Sequence, residues 1–537
     1  MLSDARTIAE GTELEFDLAV VGAGPAGISL VDRLRASGLR VCLLEGGGLH
    51  PDLAAQRLYR GENVGHPYYP LHTCRFRLFG GGSNRWGGWC RPLERQDFER
   101  NDWVPGSGWP IGHDDLQPYY EDAAELFALP GPRFDLAAWA DRIPTPLPLP
   151  GRDFENTLFL YSPELNFADS YSARIIASHN VTTLLRANVT ELVLDEADGR
   201  RVVAARVRAI GGGAFTVRAR TFVLAAGGIE NARLLLASRG QRPAGLGNEH
   251  DLVGRYFMEH LHVAAGHLLL APPGVRPDFY RKAAYAAGLK ARGVIAGTAD
   301  ARRRHRLLGA SISIEPASYA YGTPFLGWPP RIIFGPIRAY RGLRRGRARP
   351  LIEWLKGTME RTWNVTRKVE TARTARAARA RGGDGTSPLH SLYFRTEQEP
   401  SPESRVTLGG RRDALGTPEP RLDWRVGAAD IDSITGWLET LDAELSGAGL
   451  GRVIMPAPGW ENGIIGGPHH LGTTRMSDDP ARGVVDANCR LHSLDNLHIA
   501  GSSVFTTGGY ANPTFTIVAL ALRLADTLRA QLQTPAR

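Results

Sequence analysis

Cysteine is scarce: Cys42, Cys74, Cys90 and Cys489 are the only four in 537 residues. They are too few and too widely spaced for a disulfide framework, and no pair has metal-ligand spacing. Structural thiols in a reducing compartment and no metal site are expected. Long apolar runs are also lacking, since each is short or broken by glycine or charge, which argues against a bilayer-spanning helix. No charged segment followed by an apolar one opens the chain, so a soluble cytoplasmic protein without integral membrane association is expected. A nucleic-acid-binding motif is missing too, which argues against specific nucleic-acid recognition.

The formal charge of +8 is concentrated. Between Arg338 and Arg381 fourteen Lys or Arg stand against three Glu, so the remainder of the chain is slightly acidic. This segment reads as a solvated basic insertion or lid. Attraction of a polyanion or acidic partner, or a place beside an active-site mouth, are the alternatives.

What is abundant is glycine, in informative places. Gly22-Ala23-Gly24-Pro25-Ala26-Gly27 follows the apolar run from Phe16 to Val21 and leads into Ile28, Leu30, Val31 and Leu34 at helical spacing. This pattern predicts strand, tight turn and helix, with Gly22 making the turn, Gly24 admitting a pyrophosphate and Gly27 packing helix on strand. Glu45, after the run Leu39 to Leu44, stands where a ribose hydroxyl would be bound. The motif alone fits FAD or NAD. A second glycine run, Gly80-Gly81-Gly82-Ser83-Asn84-Arg85-Trp86, can form a backbone nest against a pyrophosphate or isoalloxazine. A third close approach is expected at Ala226-Gly227, where the strand from Thr221 ends.

A chain this long exceeds one ordinary core. The expected class is α/β: a Rossmann-like dinucleotide-binding domain that opens the chain, and a β-rich substrate domain over 261–480 that carries the basic insertion. Asn180 to Val193 and Arg201 to Val217 read as antiparallel strands, and Ser311–Ile314, Ser391–Thr396 and Arg405–Gly409 read as strands of the second domain. At the C-terminal end, Asn496 to Ser502 reads as a strand entering the Gly501-Ser502 turn. Asn512-Pro513-Thr514 then precedes an apolar helix from Phe515 to Leu528, with Pro513 suited to its first position and Asn512 placed to cap or orient the entry.

The chemical signal lies in Gly466-Gly467-Pro468-His469-His470-Leu471-Gly472-Thr473. An imidazole can take an alcohol proton near neutral pH, and an amide such as Asn512 can hold the substrate oxygen. Adjacent histidines can equally be structural.

Taken together, the motifs at Gly22–Gly27 with Glu45, Gly80–Gly88, Ala225–Leu235, His469–Met476 and Asp495–Leu528 resemble the glucose-methanol-choline (GMC) oxidoreductase family, nearest its pyranose oxidase and sugar dehydrogenase-like branch. The resemblance implies a Rossmann-like FAD-binding domain in two parts, 14–260 and 481–537, around the substrate domain, and an FAD-dependent alcohol oxidoreductase in which His469 is the base as hydride passes to flavin N5. Asn512 would be the second catalytic position and His470 a support or secondary base. The implied cofactor set is Gly22, Gly24, Pro25, Ala26, Gly27, Glu45, Gly81, Gly82, Ser83, Asn84, Arg85, Trp86, Val189, Ala226, Gly227, Gly501, Ser502, Asn512, Pro513 and Thr514. Pyranose oxidases of the family attach FAD to a histidine in a Ser-Thr-His-Trp element, where this chain has Ser83-Asn84-Arg85-Trp86. Arginine does not form that bond, so noncovalent FAD is expected. The expected substrate is a sugar, aminosugar or glycosylated metabolite, with a nonsugar alcohol as the alternative and oxygen or another molecule as electron acceptor. An NAD-dependent dehydrogenase and a noncatalytic dinucleotide-binding protein remain rival readings.

Overall fold

The computed structural model describes residues 1–131, 134, 136–139, 141–163, 166–271, 275–281, 284–286, 289–316 and 389–533, so the basic segment 338–381 lies outside the described residues. Among them the chain builds a mixed sheet, an antiparallel sheet and a small three-stranded sheet.

The mixed sheet forms the nucleotide-binding layer. Glu13–Val21 runs parallel to Val41–Glu45 on one side and Ala214–Leu224 on the other. Leu18, Ala19 and Val20 are fully buried, as expected of a strand covered on both faces. The helix Pro25–Leu34 returns over the sheet through its Ile28, Leu30, Val31 and Leu34 side, and the helix Thr514–Gln533 packs beside it. Leu497–Ile499 adds a further parallel strand along the end of Ala214–Leu224.

Asn180 to Val193, expected as antiparallel structure, divides in two. Val181–Leu185 is a parallel strand beside Val41–Glu45, whereas Asn188–Leu194 turns back to pair antiparallel with Val202–Arg208. The break falls at Arg186, whose positive φ of 58° redirects the chain. β-branched composition alone cannot distinguish these two pairings.

The second sheet is antiparallel and runs in the order Gly451–Ile454, Leu261–Leu270, Leu389–Thr396, Ala310–Pro316, Leu289–Gly297, Phe154–Tyr161, Trp89–Cys90. Two of these strands, Trp89–Cys90 and Phe154–Tyr161, come from the segment expected to serve only the cofactor domain. One face of the sheet is closed by the helix Ala428–Gly447: Trp437 donates Nε1–H to the Leu308 carbonyl at 2.8 Å and meets Phe154 with ring centroids 5.2 Å apart. The opposite face carries His262, Tyr393, Arg395, Arg292 and Trp89 toward the C-terminal loop. No helix among the described residues is long and apolar enough to cross a membrane.

The last helix begins at Thr514. The Pro513 carbonyl accepts from Ile517 N–H at 2.8 Å, so Pro513 takes the cap position rather than the first helical one, and Asn512 is released from capping.

Candidate active site

Three parallel strands end side by side at Val21, Leu224 and Ile499, and each is followed by glycine in a backbone conformation that disfavours other residues. Gly22, Gly227 and Gly501 have φ of 109°, 88° and 120°. Gly22 and Gly27 are needed for packing: a Cβ on Gly22 would lie 2.6 Å from the Ala225 carbonyl oxygen, and one on Gly27 1.9 Å from that of Gly22. Gly24, Gly82, Gly227 and Gly501 behave differently, because a Cβ on any of them would meet no atom within 4 Å. Such open glycine edges at the carboxyl ends of parallel strands are where a dinucleotide lies in this architecture. The helix Pro25–Leu34 has no side-chain cap, which leaves its first N–H groups for a diphosphate. The second glycine run folds onto the first: Gly80 N–H donates to the Ala23 carbonyl at 2.7 Å, and a Cβ on Gly81 would stand 3.0 Å from the Gly24 Cα. The residues therefore fit FAD.

Glu45 ends its strand buried, accepting from Ala23 N–H at 2.9 Å and Gly47 N–H at 2.7 Å. Burial raises its pKa, and those two amides oppose the rise. Ser83 and Asn84 close their own turn, Ser83 Oγ donating to the Gly80 carbonyl at 2.6 Å and Asn84 Nδ2 to the Gly81 carbonyl at 2.9 Å. Arg85 is exposed, with its guanidinium over the Phe76 ring at 5.2 Å, and Trp86 packs against Phe127 and Phe167. Ala226 donates its N–H to Asn231 Oδ1 at 2.9 Å, Ser502 Oγ to the His470 carbonyl at 2.8 Å, and Val189 lies half-buried opposite Val207.

His469 and Asn512, distant in sequence, are brought together: Asn512 Nδ2 lies 3.2 Å from His469 Nε2. The other nitrogen of His469, Nδ1, lies 2.8 Å from Nδ1 of His260, whose Nε2 faces the Gly508 carbonyl at 3.2 Å. A carbonyl only accepts, so His260 Nε2 carries hydrogen. Neutral His260 then has a bare Nδ1, His469 must donate to it from Nδ1, and His469 Nε2 is left as a lone pair facing the Asn512 amide. Burial holds His469 well below the usual imidazole range, reinforced by His260, His262, His470 and Arg395. His260 is lowered by burial as well, so both rings stay neutral.

His470 takes a different direction from the one expected of a secondary base. Its Nε2 lies 3.0 Å from the Tyr68 hydroxyl and 3.9 Å from Cys74 Sγ, and burial pushes its pKa down to about 3. Tyr68 also donates to buried Glu259, which accepts the backbone N–H groups of His469 at 2.8 Å and Gly467 at 3.0 Å. This carboxyl, pushed up to about 7 by burial, anchors the histidine loop through its main chain. Space is tight there, since a Cβ on Gly467 would stand 2.9 Å from both His262 Nε2 and His469 Nδ1.

Glu259, His260, His262 and Tyr68 were not singled out in the sequence. Histidine at alternate positions entering the strand Leu261–Leu270 was the available signal, because residues two apart on a strand share a face.

Residues 400–521 match the family model described as GMC oxidoreductase. The chain is 26% identical to 6'''-hydroxyparomomycin C oxidase of Streptomyces lividus, over 96% of this chain and 92% of that protein. It is 24% identical to 2-methyl-1,2-propanediol dehydrogenase of Mycolicibacterium austroafricanum, over 95% of each. Its fold is similar to that of pyridoxine 4-oxidase from Mesorbium loti, with a TM-score of 0.55 at 19% identity, covering 95% of this chain and 98% of that one. The fold is a Rossmann-like FAD-binding layer joined to a β-rich substrate layer, and the similarity to these relatives supports the class of FAD-dependent oxidoreductases that act on an alcohol CH–OH group. Over its C-terminal part the chain is thus similar to the GMC oxidoreductases, and along nearly its whole length to FAD-family relatives of that kind.

Proposed function

We propose that His469 is the base that takes the hydroxyl proton of the alcohol and that Asn512 positions the hydroxyl oxygen. The observation that carries this reading is the bare Nε2 of His469 facing the Asn512 amide at 3.2 Å. Two nitrogens at that separation can both reach one oxygen about 2.8 Å from each. The hydroxyl donates to Nε2 and accepts from Nδ2, and its proton moves to Nε2 as the carbinol carbon loses a hydride and becomes a carbonyl carbon. FAD supplies the two-electron acceptor when bound. Glu259 holds the loop by its amides, and His470 acts as a structural support. FAD is held noncovalently between the Gly22–Gly27 loop, the Gly80–Asn84 turn and the Gly501 turn, with Glu45 bonding the ribose.

The substrate is a polyhydroxylated, sugar-like molecule. Its support is the relative named for 6'''-hydroxyparomomycin C, matched along nearly the whole of both chains. The relative named for 2-methyl-1,2-propanediol favours a second reading, a nonsugar alcohol. Anaerobic flavin bleaching across sugars, aminoglycosides and simple alcohols decides between them. Rapid bleaching by sugars is expected, and bleaching by nonsugar alcohols alone would remove the sugar reading. His469→Ala should retain yellow colour and slow bleaching by about two orders of magnitude or more. Undiminished bleaching would remove His469 from the role of base.

A further inference from the structure

Arg395 lies directly across from His262 in the register between Leu389–Thr396 and Leu261–Leu270, so the two side chains share a face. The His262 ring in turn meets the His469 ring at 6.1 Å between centroids. Arg395 is 8% exposed, yet among the described residues no carboxylate lies within salt-bridge reach of it. Its Nη1 donates to Ser313 Oγ at 2.9 Å, and its guanidinium stacks over Trp89 at 4.7 Å and Tyr393 at 4.9 Å. The neighbouring carboxylate, Glu315, is engaged by Arg292, and Glu94 by Arg91 and Tyr510. Lys290, over the Tyr161 ring at 4.1 Å, adds another cation to the same face.

Burying a guanidinium without an anion is costly, and two aromatic faces and one hydroxyl replace little of its hydration. Its remaining N–H donors form a planar fork that matches a carboxylate in two parallel hydrogen bonds. We propose that Arg395 is a substrate-binding residue, and that the alcohol oxidised here carries a carboxylate placed to pair with it while the CH–OH group reaches His469. The substrate class is thus a hydroxy acid or sugar acid. A polycation would meet unfavourable charge on this face. The inference rests on the reading of His469 as the base.

The test uses FAD-loaded enzyme in two arms. In the first, calorimetry compares benzoate with benzamide, neither of which has a hydroxyl to oxidise. Benzoate should bind about tenfold or more tightly. Arg395→Gln should abolish that preference, and Arg395→Lys should restore part of it. In the second, anaerobic flavin bleaching compares glucuronate with glucose and 4-(hydroxymethyl)benzoate with benzyl alcohol. The acid of each pair should be favoured in the wild type, with the ratio collapsing in Arg395→Gln. Equal binding of benzoate and benzamide together with no preference for acids would overturn the proposal while leaving the alcohol chemistry intact. An Arg395→Gln defect of the same size for acids and neutral alcohols would also overturn it, by assigning the guanidinium to the flavin. Benzoate preference without bleaching by any alcohol would instead sink the reading of His469 and leave the anion site standing. Should Arg395→Gln fail to fold, the wild-type pairs and Arg395→Lys still decide.

Discussion

His260 Nδ1 stands 2.8 Å from His469 Nδ1, and this contact leaves His469 only one way to carry its proton. Because the Gly508 carbonyl engages the far side of His260, the lone pair of His469 is directed toward Asn512. In the proposed reaction His260 therefore positions the base without facing the alcohol itself.

Replacing His260 with Ala should slow flavin reduction by about tenfold to a hundredfold with a smaller change in substrate dissociation constant. His260→Asn, whose side-chain carbonyl can accept from His469, should recover part of the rate. Single-turnover reduction at several substrate concentrations separates the two quantities. Equal loss in both variants would reduce His260 to a packing residue.

The pH dependence follows from the lowered pKa of His469. Its basic form persists below the usual imidazole pKa of about 6.5, so flavin reduction should stay flat as pH falls through that value and decline only at more acid pH. A rate already halved near 6.5 would contradict the buried, neutral ring.

Stability should depend on pH through the same groups. His260, His262, His469 and His470 all have lowered pKa values, so below about 6.5 the unfolded chain binds protons that the folded one does not, and this contribution falls with acidification. Glu259, raised to about 7, acts in the opposite sense: its folded form is protonated between its ordinary 4.5 and 7, which favours folding as pH falls. Substituting His262 by Phe should flatten the acid limb of a melting-temperature profile, and an unchanged limb would contradict this account.

Gly24 and Gly27 should separate cofactor binding from folding. Gly24→Val directs its side chain into open space beside the strand ends, so a folded protein with strongly reduced flavin content is expected. Gly27→Val collides with the Gly22 carbonyl oxygen and should lower the yield of folded protein. Flavin absorbance per folded chain, checked by circular dichroism, tells them apart; full flavin content in Gly24→Val would displace the pyrophosphate from this loop.

Acid precipitation should release all flavin to the supernatant, since Arg85 replaces the histidine of the attachment element and points its guanidinium over Phe76. Yellow colour retained in the pellet would show a covalent bond from another residue.

The nucleotide layer was legible because its signals are local. Gly22 to Gly27 state turn, approach and packing within six residues, and Glu45 follows at the end of the adjoining strand. His469 and Asn512 were also marked by their glycine and proline surroundings. What escaped detection depends on register: His262 and Arg395 become neighbours only when two strands far apart in the chain pair. His260 gains its meaning from a carbonyl in the Gly508 loop, and a backbone carbonyl leaves no residue-type signal. Asn512 carried two readings, a place at the helix entry because Asn-Pro is common there and an amide at the chemical site, and only the position of His469 shows which partner its amide faces.

Three remote stretches of chain meet around His469: the entry to the strand Leu261–Leu270 supplies His260, the glycine loop supplies His469 itself, and the turn before the final helix supplies the Gly508 carbonyl and Asn512. That turn is also clamped by buried Arg302, which bridges Asp97 at 2.7 Å and Glu397 at 3.0 Å, while Glu397 accepts Gly509 N–H at 3.2 Å. The proposed chemistry thus needs all three stretches in place at once. A damaged molecule whose two layers have slipped apart would surrender turnover before its colour, so absorbance alone would overcount working enzyme, and titration of reducible flavin would give the true number.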